Sequence, residues 1–331
     1  MQSALPKISV IVPSFNQGQY IEATLQSILS QNYPALELLV IDGGSTDNTK
    51  TVIEKYSSKI SYFISEKDNG QSEAINKGLK RATGDIITWL CSDDLYQPNC
   101  LFSFAKQYLL QPAAGLFHGK SIFFGPGRKE TEIGIHPTDL DLQYFAAIPF
   151  PQPSSFFTKK VIDKIGLLDE SLHYAMDYDY FLRIALEFQV VSVPETWSKY
   201  RLHDESKSRT KLPDFCQEWI YVFSKFIHSL NVHDPLLNRM INSGFIIPTK
   251  SNFIHTRSFN HSELQTICSY FLYNQFKVWY ELLDKKKCEL ILLLIKEIKP
   301  SFYMDFELHR LKNKLNFIPT PIFKLLRSIV R

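Results

Sequence analysis

"KISVIVPSFNQGQYIEATLQSILSQNYPALELLVID", residues 7–42, decides the fold. The stretch "KISVIVPSF" (7–15) is β-branched and almost wholly apolar, as a strand buried on both faces should be. In "QYIEATLQSILSQ" (19–31), Ile21, Leu25, Ile28 and Leu29 recur at helical spacing. "LELLVID" (36–42) is a second buried strand. The alternation continues outward. "DNTKTVIEKYSS" (47–58) is a helix with Thr46 or Asp47 placed as N-cap. "ISYFIS" (60–65) is a strand, "QSEAINKGLKRA" (71–82) a helix, "DIITWLCS" (85–92) a strand and "NCLFSFAKQYLL" (99–110) a helix. Strand and helix in turn predict an α/β fold, a mostly parallel sheet with helices on both faces.

After Gly115 the rhythm changes. "GLFHGKSIFFG" (115–125) and the proline-rich 136–157 stretch predict irregular strands and loops that shape a cleft. "DYDYFLRIALEF" (177–188) is a helix and "VVSVPETWSKYRLH" (190–203) returns to strand. From Pro213 the chain reads as helices, including 214–230, 264–284 and 288–298, so a domain boundary is expected near 210. The expected domains are 1–210 and a helical extension, 211–331.

Composition narrows the function. The chain has 331 residues, 44% hydrophobic and 21% charged, which is globular rather than disordered. A net charge of +3 is too small to imply nucleic acid as a partner. Five scattered cysteines without a C-x-x-C pair favour reduced thiols over a disulfide framework. No signal peptide is expected ahead of the first strand, and "ELILLLI" (289–295) is too short to span a bilayer. The expected location is cytoplasmic.

In an open parallel sheet, ligands sit beyond the carboxyl ends of the strands. Ser14 and Asn16, then Asp42, then Glu66 and Asp68, then Asp93 and Asp94 stand at those ends. The turn "PSFNQGQY" (13–20) has a single glycine, so it is neither a dinucleotide fingerprint nor a Walker loop. Acids repel phosphate unless a divalent cation lies between them. Asp93 and Asp94 read equally as a loop acid plus a cap for the helix near Pro98, or as half of a cation site. Asp42 reads as a turn former or a ligand contact.

Three ordered blocks, at 10–49, 66–94 and 166–184, resemble the family 2 glycosyltransferases, and the likeness runs over about residues 7–205. The resemblance implies a GT-A (nucleotide-diphospho-sugar transferase) fold and an inverting reaction on a nucleotide-sugar donor, with a UDP- or dTDP-sugar favoured. It puts Pro13, Ser14 and Asp42 at the base and ribose. The D-x-D-type motif falls on Ser92-Asp93-Asp94, with Asp94 a ligand of Mg²⁺ or Mn²⁺ and Asp93 near ribose or a metal-bound water. Ser92 departs from the stricter motif. Arg201 is placed on the pyrophosphate and His203 on the metal. Gln152 and Ser154 are acceptor candidates. Of the two acids on the 177–188 helix, Asp179 stands four residues before Arg183 and suits an ion pair, leaving Asp177 as general base.

The expected acceptor is a saccharide or lipid-linked saccharide in surface polysaccharide assembly. Arg310, Lys312, Lys314, Lys324, Arg327 and Arg331 make a basic tail with an amphipathic 321–331 segment, which reads as a helix docked on its own domain or a contact with the inner face of the membrane. Two alternatives stand beside this reading: a nucleotidyltransferase that makes the nucleotide sugar, and a non-catalytic sugar-nucleotide or glycan-binding module.

Overall fold

The computed structural model describes residues 5–134, 141–204, 210–230, 235–251 and 253–317. They fall into two compact units, the described residues of Met1–Leu140 with Ile148–Thr210, and of Asp141–Ala147 with Lys211–Arg331.

The first unit opens with β1 (Ile8–Ser14), α1 (Ile21–Leu29), β2 (Leu36–Asp42), α2 (Thr49–Glu54), β3 (Tyr62–Ser65), α3 (Gln71–Arg81) and β4 (Ile86–Trp89). A short β5 (Leu95–Tyr96), α4 (Cys100–Leu110), β6 (Leu116–Phe124) and β7 (Thr131–Ile133) follow. It closes with β8 (Ser155–Thr158), α5 (Lys159–Ile165), α6 (Met176–Glu187) and β9 (Val190–Arg201). The sheet runs β3-β2-β1-β4-β8-β6-β9-β5, with β7 paired to β6. β3, β2, β1 and β4 are parallel, β8 is antiparallel to β4 and β6, and β6 and β9 are parallel again.

Strand periodicity explains why both faces are apolar. Ile8, Val10 and Val12 share one buried face with Leu38, Val40 and Ile86, packed with Leu25 and Ile28 of α1, Val52 of α2 and Phe104 of α4. The alternate residue Ile11 meets α3, where a Cβ on Gly78 would stand 2.5 Å from Ile11 Cγ2. On that side Trp89 stacks on Phe181 of α6, ring centroids 5.4 Å apart and 5° from parallel. A two-sided apolar run is therefore the sequence image of a strand with helices on both faces.

Two details differ from the sequence reading. The N-cap position of α2 is Asn48, one residue after Asp47, and its side chain makes no capping bond. Asp47 instead accepts from the Thr49 amide at 3.0 Å and from Gly18 N at 3.0 Å, tying the α2 start to the β1–α1 loop. Helix α4 begins at Cys100 behind Asn99, and β5 lies between it and the acids, so neither Asp93 nor Asp94 caps it.

The second unit is helical: α7 (Leu212–Ser229), α8 (Pro235–Asn242), α9 (His261–Glu281), α10 (Lys285–Ile298), α11 (Pro300–Asp305) and α12 (Leu308–Phe317). Asn260 and Glu263 form a reciprocal capping box at α9. Phe223 and Phe271 stack 3.8 Å apart to join α7 and α9. Phe145 packs against Phe226 and Phe259, which is how the 141–147 segment belongs to this unit. Among the described residues no helix is long and apolar enough to cross a membrane. The 321–331 segment of the basic tail lies outside the described residues; Arg310 stands on α12 and pairs with Glu307 at 2.5 Å.

Candidate active site

The carboxyl ends of β1, β2 and β4 and the end of β9 define one edge. At β4 the chain makes a tight turn, closed by the Asp94 amide donating to the Cys91 carbonyl at 3.0 Å. Thr24 of α1 fixes it, its hydroxyl lying 2.9 and 2.8 Å from the Ser92 and Asp94 carbonyls. A turn of this kind gathers its first and last residues. The Cys91 thiol and one carboxylate oxygen from each of Asp93 and Asp94 lie within 4.8 Å of one another.

Asp94 is only 2% exposed. Burial, and then the neighbouring Asp93 charge, push its carboxyl well above the ordinary carboxylate range, against the Arg201 amide and charge. Its Oδ1 accepts from Arg201 N at 2.8 Å. The antiparallel pairing of β5 with β9, Leu95 opposite Lys199, is what carries Arg201 and His203 to this turn. Arg201 Nε donates to the Asp93 carbonyl at 2.8 Å, and its guanidinium lies between the Tyr20 and Phe124 rings, 4.8 and 4.4 Å from their centroids. His203 is buried beside Tyr20, and its Nε2 is 3.1 Å from Asp93 Oδ2. The imidazole expected on the metal thus lies against a carboxylate of the turn.

The donor chemistry fits a divalent cation. Two adjacent carboxylates, one of them buried, carry a repulsion and a desolvation cost that a 2+ charge between them removes. Carboxylate oxygens are the ligands Mg²⁺ and Mn²⁺ take.

At the other strands, Pro13 pairs with Ile41 and Ser14 with Asp42. The Ser14 hydroxyl is buried and has no hydrogen-bond partner among the described residues. Asp42, expected at the base and ribose, has its oxygens engaged within the chain. It is fully buried, with Oδ2 accepting from Gly44 N at 3.2 Å, Ser45 N at 3.0 Å and Ser65 Oγ at 2.6 Å, and Oδ1 accepting from Ser45 Oγ. Its lone pairs hold the turn after β2, which the left-handed Gly44 (φ 83°) completes.

Asp68, to which the resemblance assigned no role, lies over that turn. A Cβ at Gly43 would stand 2.6 Å from Asp68 Oδ2, so a larger residue there would push the Asp68 carboxylate aside. Burial raises the Asp68 carboxyl, with the Glu73 and Asp42 charges adding to it and the Gly70 amide and Lys77 opposing. The signal was available: Asp68 follows β3 just as Asp42 follows β2.

Gln152 sits at the β4 edge, its Nε2 donating to Trp89 O at 2.9 Å and its Oε1 lying 4.0 Å from Cys91 Sγ. Ser154 does not face a cleft. It is fully buried, bonded to the Lys120 carbonyl and the Ser198 hydroxyl, both at 2.6 Å, and this corrects its candidacy as an acceptor contact.

On α6 the two acids separate. Asp179 is fully buried and pairs with Arg183, whose Nε and Nη2 each lie 2.9 Å from Oδ2. Arg183 also donates to the Ile165 and Leu167 carbonyls. Asp177 is half-buried in the first turn of α6, its Oδ1 accepting from Tyr178 N at 2.8 Å. The segment before α6 is fastened to α3 by Ser72 donating to the Leu172 carbonyl at 2.7 Å. Trp89 stacking on Phe181 brings α6 itself to the end of β4.

The glycosyl transferase family 2 model matches residues 9–176. The chain belongs to this family. An uncharacterised glycosyltransferase of Rickettsia typhi is 28% identical over 292 residues, covering 84% of this chain and 83% of the relative. The putative teichuronic acid biosynthesis glycosyltransferase TuaG of Bacillus subtilis is 30% identical over 167 residues, 44% of this chain and 66% of the relative. Among solved structures, S. aureus TarS 1-349 in complex with UDP matches with a TM-score of 0.55 at 18% identity, over 92% of each chain. The mannosyltransferase PcManGT from Pyrobaculum calidifontis, in complex with GDP-Man and Mn²⁺, gives 0.59 at 17% identity, over 98% of this chain and 85% of that one. The fold is the GT-A type of these glycosyltransferases, and the chain is a glycosyltransferase. Family membership decides for glycosyl transfer over the nucleotidyltransferase and binding-module alternatives.

Proposed function

We propose that this glycosyltransferase is an inverting, cation-dependent enzyme that moves a sugar from a nucleoside-diphosphate donor, UDP- or dTDP-linked, to a saccharide or lipid-linked saccharide in surface polysaccharide assembly. The observation that carries the reading is the Cys91–Asp94 turn, where a buried carboxylate and its acidic neighbour are clamped by Arg201 and His203.

Asp93 and Asp94 hold Mg²⁺ or Mn²⁺ in this reading, and the cation supplies positive charge against the negative charge growing on the leaving diphosphate. His203 orients the Asp93 carboxylate, and Arg201, braced between Tyr20 and Phe124, adds positive charge beside the turn. The Ser14 hydroxyl, without a partner among the described residues, and the Asp68 carboxylate take polar groups of the nucleoside, while Asp42 shapes that pocket through the turn it holds. Asp177 is the general base. It takes the proton of the acceptor hydroxyl as that oxygen attacks the anomeric carbon, and the bond to the diphosphate oxygen breaks on the opposite side. The dipole of α6 favours a negative group at this position, and Asp179 is committed to Arg183. Gln152 lies where the acceptor enters.

TuaG and the UDP-bound TarS support a polysaccharide acceptor and a uridine donor. A lipid-linked acceptor would place the enzyme at the inner face of the cell membrane, with the basic tail from Arg310 onward touching anionic lipid. Thermal shift against a panel of nucleotide sugars, with and without Mn²⁺, tests the donor. A cation-dependent rise for one uridine or thymidine sugar is expected, and no response to any donor would refute the reading. Sedimentation with anionic vesicles tests the tail, and equal recovery after removing residues 310–331 would refute lipid contact.

A further inference from the structure

The turn that carries the two aspartates begins with a thiol. Cys91 Sγ belongs to the same compact group as the Asp93 and Asp94 oxygens, all within 4.8 Å. Donor atoms sharing one metal at bond lengths of ~2.0–2.3 Å stand roughly 3–4 Å apart, so small side-chain adjustments suffice to close all three on one ion. The sulfur is also aimed. Gln71 Nε2, on the first residue of α3, donates to it at 3.1 Å, and Gln152, anchored on the Trp89 carbonyl, flanks it from the other side. Cys91 is half-buried, whereas Cys100, Cys216, Cys268 and Cys288 are buried. An apolar core role explains those four and does not explain Cys91.

We propose that Cys91 is a direct sulfur ligand of the cation held by Asp93 and Asp94, and that it biases the site toward Zn²⁺, Co²⁺ and Mn²⁺ over Mg²⁺. The inference rests on the cation-dependent reading above and deepens it. Sulfur is a soft donor that Mg²⁺ avoids and that the later divalent ions accept, so one thiol in an otherwise oxygen site changes the order of preference. Binding displaces the thiol proton to solvent, leaving thiolate on the metal.

The test uses the full chain, stripped of metal and titrated with Co²⁺. The expected result is a sulfur-to-cobalt charge-transfer band in the near ultraviolet that Cys91→Ser and Asp94→Asn both lose. In Cys91→Ser the preference for Zn²⁺ over Mg²⁺, read by competition, should fall at least ~tenfold. Cys91→Asp should bind Mg²⁺ and show no band, and its metal-free melting temperature separates loss of ligand from loss of fold. Independently, iodoacetamide should modify Cys91 of the native wild type, with Zn²⁺ and Co²⁺ protecting it. If Co²⁺ raises the melting temperature of the wild type but gives no near-ultraviolet band and leaves alkylation of Cys91 unslowed, the sulfur ligand is refuted while the carboxylate site stands. If no divalent cation shifts the wild type at all, both readings fall together.

Discussion

The two acids of α6 make opposite predictions when each is changed to the amide. Asp179 is fully buried against Arg183, and the guanidinium spans from this carboxylate to the Ile165 and Leu167 carbonyls. Removing one charge of such a pair costs about 3–5 kcal/mol, because the other stays buried without its counter-ion. Asparagine keeps one acceptor oxygen, which argues for the lower end, about 3 kcal/mol. At roughly 2–4 °C per kcal/mol for a domain of this size, Asp179→Asn should lower the melting temperature by about 6–12 °C. Asp177 is half-buried and accepts from the Tyr178 amide, a bond that an asparagine oxygen keeps, so Asp177→Asn should change stability by less than ~1 kcal/mol. Its effect should fall on turnover, about 10²–10⁴-fold, with donor binding nearly intact. The assay is differential scanning fluorimetry beside a transfer assay and nucleotide binding on the same preparations. A stable, inactive Asp179→Asn together with an active Asp177→Asn would refute the assignment.

Three other perturbations test the surrounding structure. Folding takes up a proton at Asp94, whose carboxyl is raised, so stability is highest with Asp94 protonated and falls as pH climbs from 3.8 toward the raised folded value. Asp94→Asn should flatten that slope in metal-free melting curves, and Mn²⁺ should restore high-pH stability to the wild type only. Glu37 behaves in the opposite sense: burial pushes its carboxyl up, but bonds from Lys7, Ser9 and Thr83 outweigh burial and bring it from 4.5 down to about 2. Its contribution is present at neutral pH and lost as pH falls from 4.5 through about 2, and Glu37→Gln should reduce the acid sensitivity seen in urea titrations. Gly78→Ala puts a Cβ 2.5 Å from Ile11 Cγ2 and should cost about 1–3 kcal/mol by overpacking, read as a lower urea midpoint.

Residues 7–110 by themselves determined the alternation of strand and helix, because strands buried on both faces and helices with one apolar stripe leave different periodicities. They also put Ser14, Asp42, Asp68, Asp93 and Asp94 at strand ends, and the i,i+4 spacing of Asp179 and Arg183 announced their ion pair before any coordinates. What each of those groups touches was not legible. Asp42 reads the same in sequence whether its lone pairs await a base or are consumed by Ser45, Ser65 and two backbone amides. Ser154 reads as a cleft residue until its hydroxyl is found against Lys120 and Ser198 in the sheet interior. His203 reaches Asp93 only because β5 pairs with β9. Cys91 counts as one more reduced thiol until a turn four residues long sets it beside two carboxylates. Local pattern reports which way a backbone runs and which face is buried, since both repeat with the chain. The partner of a polar atom is chosen by strand pairing and turn closure between residues far apart in sequence, and only the tertiary structure carries that choice.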